Sequence, residues 1–232
     1  MRKKSWFLLI AFLTLIMAVP VAWADVDVYA EGAYTQSDLA VFIYADITSP
    51  ADLRSAGVRL TYDTGSLQLA TAERNNAVWY LGTEDYNSPE ISQGVVIFIL
   101  GKLDTENPSE GVGGSRVLLG KVLFNRTENS MPPSTPGFGI SLDYGKRGPE
   151  GAFANFVDTQ EPANVLDDTT SVSFLGTGIF ERGDVSEDGI FTSYDMILTK
   201  RLITENEYRC YADCNSDGVI TTADMVCIKG KI

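Results

Sequence analysis

The sequence predicts a mainly β chain, an antiparallel sandwich of the jelly-roll type, followed by a small α-helical module at its C-terminal end. Three observations predict it. From Val26 to about Phe174, apolar and β-branched runs alternate with turn residues. At Gly176-Thr177-Gly178 that pattern breaks. Beyond the break an acidic pattern of 12 residues occurs twice, and each copy leads into an apolar stretch of helical character.

The β runs cover residues 40–47, 57–62, 66–70, 94–100, 117–124 and 138–142. The breaks between runs carry Pro, Gly, Asn and Asp, as in Ser49-Pro50, Asn87-Ser88-Pro89 and Met131-Pro132-Pro133. Leu60, Tyr62, Leu67 and Leu69 alternate as strands with one buried face do. Residues 72–80 fit helix or strand equally, and no long stretch has the 3.6-residue period of a helix.

Asp63-Thr64-Gly65-Ser66 matches the signature of aspartic proteases, in which two carboxylates share a proton across a symmetric site. That chemistry requires a second copy, or a dimer of the first, and no second copy occurs. The stretch is therefore expected to be a turn between two strands. Arg182-Gly183-Asp184 spells an adhesion tripeptide, but Asp184 has a better use as the first residue of the repeat.

Met1-Arg2-Lys3-Lys4 opens the chain, and no charged residue follows until Asp25. The stretch 6–17 is almost wholly apolar, and Ala22-Trp23-Ala24 supplies a small-x-small exit. These are the parts of a secretory signal peptide over 1–24. An uncleaved anchor is the rival reading, since residues 5–24 suffice to span a bilayer. Pro20 and the Ala-x-Ala site favour removal, so the mature protein is expected to be secreted, extracellular or cell-surface associated, with no stable membrane span.

Loss of Arg2, Lys3 and Lys4 from the 18 basic residues leaves 15 against 31 acidic ones, a net charge near −16. Such a surface excludes nucleic acid, whose phosphates require a basic partner. It suits a protein that holds divalent cations. The chain has no histidine at all. Histidine-dependent nucleophile pairs and the usual ligands of zinc, iron and copper are thereby excluded. A carboxylate-pair glycosidase survives that test, but no acid/base pair is recognisable, and no enzyme activity is expected.

Cys210, Cys214 and Cys227 all fall in the last 23 residues. One disulfide with a thiol left over leaves three pairings open, and three small buried hydrophobes account for them equally well.

The repeat carries the chemistry. Asp184-Val-Ser-Glu-Asp-Gly-Ile-Phe-Thr-Ser-Tyr-Asp195 aligns, 29 residues on, with Asp213-Cys-Asn-Ser-Asp-Gly-Val-Ile-Thr-Thr-Ala-Asp224. Positions 1, 5, 6, 9 and 12 are identical, and Met196 and Met225 follow the two copies. The pattern is that of the EF-hand loop, with Asp in place of Glu at position 12 in both copies and Ser186 at position 3 of the first. Calcium takes six to eight hard oxygen ligands, and a 12-residue loop can wrap them around one ion. Two calcium ions are expected. The first would be held by Asp184, Ser186, Asp188, the Ile190 carbonyl, Thr192 and Asp195. The second would be held by Asp213, Asn215, Asp217, the Val219 carbonyl, Thr221 and Asp224. Gly189 and Gly218 stand where the loops turn sharply. Phe191 and Ile220, at position 8, would join the loops by a short β contact. The apolar residues after each loop would pack together once an ion orders the carboxylates.

This repeat resembles the dockerin module of cellulosome-type assemblies, over Gly183 to about Ile232: Asp at position 12, and a loop followed by one helix. The resemblance implies calcium-dependent docking to a cohesin-type protein. It assigns the contact to positions 10 and 11 and to basic residues of the following helix. Those positions hold Ser193, Tyr194, Lys200 and Arg201 in the first half, and Thr222, Ala223 and Lys229 in the second. The halves differ at positions 10 and 11, and Gly230 weakens the end of the second helix. The stretch Gly57-Val-Arg-Leu-Thr-Tyr-Asp-Thr-Gly-Ser-Leu-Gln-Leu69 is in turn similar to the strand-turn-strand near the start of cohesins. Val117-Leu-Leu-Gly-Lys-Val-Leu-Phe124 is similar to a later core strand of that family.

The expected organisation is a signal peptide over 1–24, a cohesin-like sandwich over 25–175, a short linker over 176–182 and a dockerin module over 183–232. The expected function is a secreted, non-catalytic adaptor. Its C-terminal module would dock to a cohesin, and its sandwich would receive a dockerin-bearing protein. The alternative is a carbohydrate-binding module delivered by a dockerin, with Trp79, Tyr80 and Tyr86 on a polysaccharide-binding face.

Overall fold

The computed structural model describes residues 25–48, 52–80, 88–102, 110–127, 138–145, 154–160, 163–167 and 170–232. The expected signal peptide, Tyr86 and the turns at Ser49-Pro50 and Met131-Pro132-Pro133 lie outside the described residues.

Among the described residues, ten strands form two stacked sheets. The first contains β1 (Asp25–Tyr34), β2 (Asp38–Thr48), β4 (Leu67–Arg74), β7 (Gly114–Arg126) and β10 (Val172–Glu181), in the order β10-β1-β2-β7-β4. The second contains β3 (Leu53–Thr61), β5 (Glu90–Ser92), β6 (Val95–Gly101) and β8 (Ser141–Tyr144), in the order β5-β6-β3-β8, with β9 (Val157–Asp158) against β3. Two helices follow, α1 (Ser193–Glu205) and α2 (Thr222–Lys229).

The core lies between the sheets. Strand alternation sends Val26, Val28, Leu39, Val41 and Ile43 inward from the first sheet, to meet Val58, Leu60, Val96, Phe98 and Leu100 from the second. Trp79 and Phe156 fill this core, both with no exposed surface. Asp63-Thr64-Gly65-Ser66 is the corner that carries the chain from β3 in one sheet to β4 in the other. Asp63 accepts the Gly65 amide at 2.9 Å and the Ser66 hydroxyl at 2.5 Å. The Asp63 carboxyl is thereby engaged in its own turn and held below its ordinary pKa by the Ser66 hydroxyl and then by the Gly65 amide.

Three expectations need correction, and one open reading is resolved. The sandwich is not wholly antiparallel, because β10 returns beside β1 in parallel. Residues 176–181 are not a linker. They continue β10, paired with β1 as far as Tyr34 and Glu181, and the glycines that break the sequence pattern adjoin a register shift opposite Val28 and Ala30. The stretch 72–80 is strand up to Arg74 and turn thereafter. The last run starts as a strand only at Ser141, since Phe138 sits in a turn at a φ of 55°.

Strand β2 is apolar on both faces. Leu39, Val41, Ile43 and Ala45 point into the sandwich. Phe42, on the outer face, joins Ala33 and Phe180 in a second core with Val185, Tyr211, Ala212, Cys214 and Ile228 of the C-terminal module. The module is therefore packed on the outside of the first sheet.

Candidate metal centre and docking surface

Each loop is organised by its two terminal carboxylates. In the first, Asp184 accepts the amides of Asp188 at 3.2 Å and Gly189 at 2.9 Å. In the second, Asp213 accepts those of Asp217 at 3.0 Å and Gly218 at 2.9 Å. Gly189 and Gly218, at φ values of 78° and 88°, make the reversals that carry the chain around these carboxylates.

The position-12 residues close the loops from the other side. Asp195 accepts the Val185, Ser186 and Thr192 amides at 2.9, 2.8 and 2.8 Å. Asp224 accepts the Asn215 and Thr221 amides at 3.2 and 2.8 Å. Both are also the third helical residue, so Thr192 with Asp195 and Thr221 with Asp224 form capping boxes that start α1 and α2. One aspartate thus sets both the loop and the helix start. Burial alone would raise the Asp195 carboxyl, but the Thr192 and Ser186 amides outweigh it and hold the group below the usual range.

Asp184, Asp195, Asp213 and Asp224 are all buried. Asp188, Asn215 and Asp217 are exposed, Ser186, Thr192 and Thr221 are half-buried, and Ile190 and Val219 lie at the exposed rim. Among the described residues no lysine or arginine forms an ion pair with a loop carboxylate. Nor do three acidic side chains already converge into a ready-made metal cluster. The donor set nonetheless fits calcium. Every candidate atom is a hard oxygen, and the four buried carboxylates pair with no lysine or arginine among the described residues. The expected β contact between Phe191 and Ile220 is not formed among the described residues; each half is anchored through the buried aspartates instead.

Every residue expected to meet a partner is exposed: Ser193, Tyr194, Lys200 and Arg201 on α1, and Thr222, Ala223 and Lys229 on α2. Ile197 and Val226, expected among the apolar residues that pack the two helices together, instead stand out at 62% and 71% exposed, because they lie on the outward faces of α1 and α2. The second half ends in order: the Gly230 and Lys231 amides bond the carbonyls of Cys227 and Ile228. Cys214 and Cys227 form a disulfide that ties the second loop to α2, and Cys210 is a free, buried thiol.

Arg182 and Asp184 are both buried, which removes the adhesion tripeptide from the surface. Of the aromatic residues considered for a sugar-binding face, Trp79 is in the core and Tyr80 is half exposed.

The family model for the dockerin type I domain matches residues 182–232. No curated protein matches the chain. Among solved structures the chain is similar to the seventh ScaB type I cohesin of Pseudobacteroides cellulosolvens, at 16% identity and a TM-score of 0.44, over 68% of this chain and 93% of that one. It is also similar to the sixth cohesin of Acetivibrio cellulolyticus scaffoldin B, solved with a dockerin, at 15% identity and a TM-score of 0.41, over 68% and 100%. A third is a type I cohesin–dockerin complex of Clostridium thermocellum, at 14% identity and a TM-score of 0.44, over 71% and 99%.

Proposed function

We propose that the protein is a secreted, non-catalytic adaptor of a cellulosome-type assembly. Two calcium ions load its C-terminal dockerin module, one held by Asp184, Ser186, Asp188, Ile190, Thr192 and Asp195, the other by Asp213, Asn215, Asp217, Val219, Thr221 and Asp224. The loaded module docks to a cohesin-type partner, and the sandwich offers a second protein-binding site.

The observation that carries this reading is the pairing of two features in one module. Buried carboxylates that pair with no lysine or arginine among the described residues line both loops, and the helices those loops initiate present Tyr194, Ile197, Lys200, Arg201 and Val226 to solvent. An apolar patch flanked by charges on two capped helices is suited to a protein partner. Calcium that orders the loops orders that patch, because Asp195 and Asp224 serve both.

Calorimetric titration of residues 25–232 with calcium, followed by capture on a panel of immobilised cohesins with and without chelator, tests the reading. Uptake of two ions and calcium-dependent capture are expected. Capture that persists in chelator, or no heat on titration, overturns it. A parallel pull-down on insoluble polysaccharide separates the adaptor from the carbohydrate-binding alternative, which the burial of Trp79 disfavours.

A further inference from the structure

The segment between α1 and the second loop joins three parts of the molecule. Tyr208 donates its hydroxyl to Asp213 Oδ2 at 3.1 Å, the first residue of loop two, while its ring meets Phe42 of β2 edge-on at 5.9 Å. Tyr211 repeats the arrangement on the other side. Its hydroxyl donates to Glu187 of loop one at 2.8 Å, and its ring meets Phe180 of β10 edge-on at 5.4 Å.

A charged clasp lies beside them. Glu31, buried on the outer face of β1, receives Arg209 of the module at 2.6 Å and Arg116 of β7 through both guanidinium nitrogens. Arg116 also donates to the Tyr208 carbonyl at 3.1 Å. Arg182 closes the other end: it donates to Ser216 of loop two and stands 3.6 Å from Asp38 of β2. Since β10 runs to Glu181 and loop one begins at Asp184, only Arg182 and Gly183 separate the sheet from the first candidate ligand.

We propose that the outer face of the first sheet, through Phe42, Phe180 and Glu31, is a structural wall of the calcium-binding unit. Ion loading of the loops and seating of the module on the sandwich then stabilise each other. The inference rests on the calcium reading above and goes beyond it: the module is not a tethered domain but one body with the sandwich, and its exposed helix faces keep a set direction relative to it. The physical ground is linkage. An ion that orders Asp213 also orders its hydrogen bond to Tyr208, and the same tyrosine is ordered by Phe42 and Arg116; whatever fixes one end lowers the entropy left to lose at the other.

The test uses residues 25–232 as wild type, Phe42→Ala and Glu31→Gln, since neither residue is a candidate calcium ligand. Calcium affinity is read by calorimetry, the sandwich by the near-ultraviolet signal of buried Trp79, and the seam by alkylation of Cys210, which is buried in it. With the sandwich signal native, both variants are expected to bind at least one calcium ion about fivefold or more weakly. Chelation of the wild type is expected to expose Cys210 to alkylation and to lower the unfolding temperature of the sandwich. Unchanged affinity in both variants, with Cys210 equally protected with and without calcium, overturns the coupling and leaves the calcium reading standing. A wild type that takes up no calcium overturns both.

Discussion

Asp195 accepts the backbone amide of Val185 at 2.9 Å, tying the last residue of the first loop to its second. The same carboxylate takes the Ser186 and Thr192 amides, so one side chain closes the loop and caps α1. Asp224 does this with one amide fewer and at a longer 3.2 Å to Asn215. The first half is therefore the more extensively hydrogen-bonded.

Asp195→Ala is expected to destabilise the module by about 2–4 kcal/mol, because it strands buried amides and removes half of a capping box. Circular dichroism at 222 nm during thermal unfolding reads it. Asp195→Asn keeps an acceptor and should retain most of the helix while weakening calcium binding. Equal helix loss in both variants would count against the dual role.

Chelation should loosen the whole C-terminal module. On the proposed reading, removing the ions takes away the positive charge that the Asp184 and Asp195 pair and the Asp213 and Asp224 pair would share, and the free energy of metal binding would contribute to folding. The helical signal should fall in chelator and return on adding calcium, with an unfolding temperature that climbs as free calcium rises. A temperature independent of calcium would exclude bound ion in the native state.

The Cys214–Cys227 disulfide closes a loop with a sequence separation of 13, which the chain-entropy relation values at about 3 kcal/mol. Cys214→Ser with Cys227→Ser should lower the stability of the module by about that amount and affect the second calcium site more than the first. Cys210 should contribute no reactivity in the calcium-loaded protein. Burial, and then the Glu31 carboxylate, push its thiol up to about 12, so it carries almost no thiolate at pH 8. Mass spectrometry after alkylation, with and without reductant, reads both points.

Tyr194→Ala and Val226→Ala, on the exposed faces of α1 and α2, should weaken capture by a cohesin tenfold or more, on the order of 1.4 kcal/mol or above. Calcium titration should be unaffected, since neither residue is a candidate ligand and both side chains are exposed. The double variant Lys200→Ala with Arg201→Ala should act mostly through association rate and lose its effect at high salt. Capture insensitive to all of these would place the partner surface elsewhere.

Much of the site was legible because its signal is local. A 12-residue loop must place carboxylates, a glycine and a helix-capping residue at set intervals, so Asp184 to Asp195 and Asp213 to Asp224 declare themselves in the chain. The strands of the sandwich were legible for the same reason: Leu60, Tyr62, Leu67 and Leu69 alternate along their own backbone. The seam was not legible. Glu31 and Arg209 are 178 positions apart, Phe42 and Tyr208 are 166 apart, and no period or spacing links either pair. The one local trace was the unbroken apolar run of β2, which marks a strand covered on both faces.

By itself the sequence determined the β class of the first part, the corner at Asp63 and the two oxygen-rich loops, because each follows from the conformational needs of neighbouring residues. Only the tertiary structure decided that β10 lies parallel to β1 and that 176–181 is strand rather than linker. It also decided that Cys214 takes Cys227, and that Tyr208 and Tyr211 bind the loops to the sandwich. Those outcomes depend on which surfaces meet after collapse, where burial of Phe42, Phe180 and Glu31 against the module outweighs the local preference of Gly176-Thr177-Gly178 for an open chain.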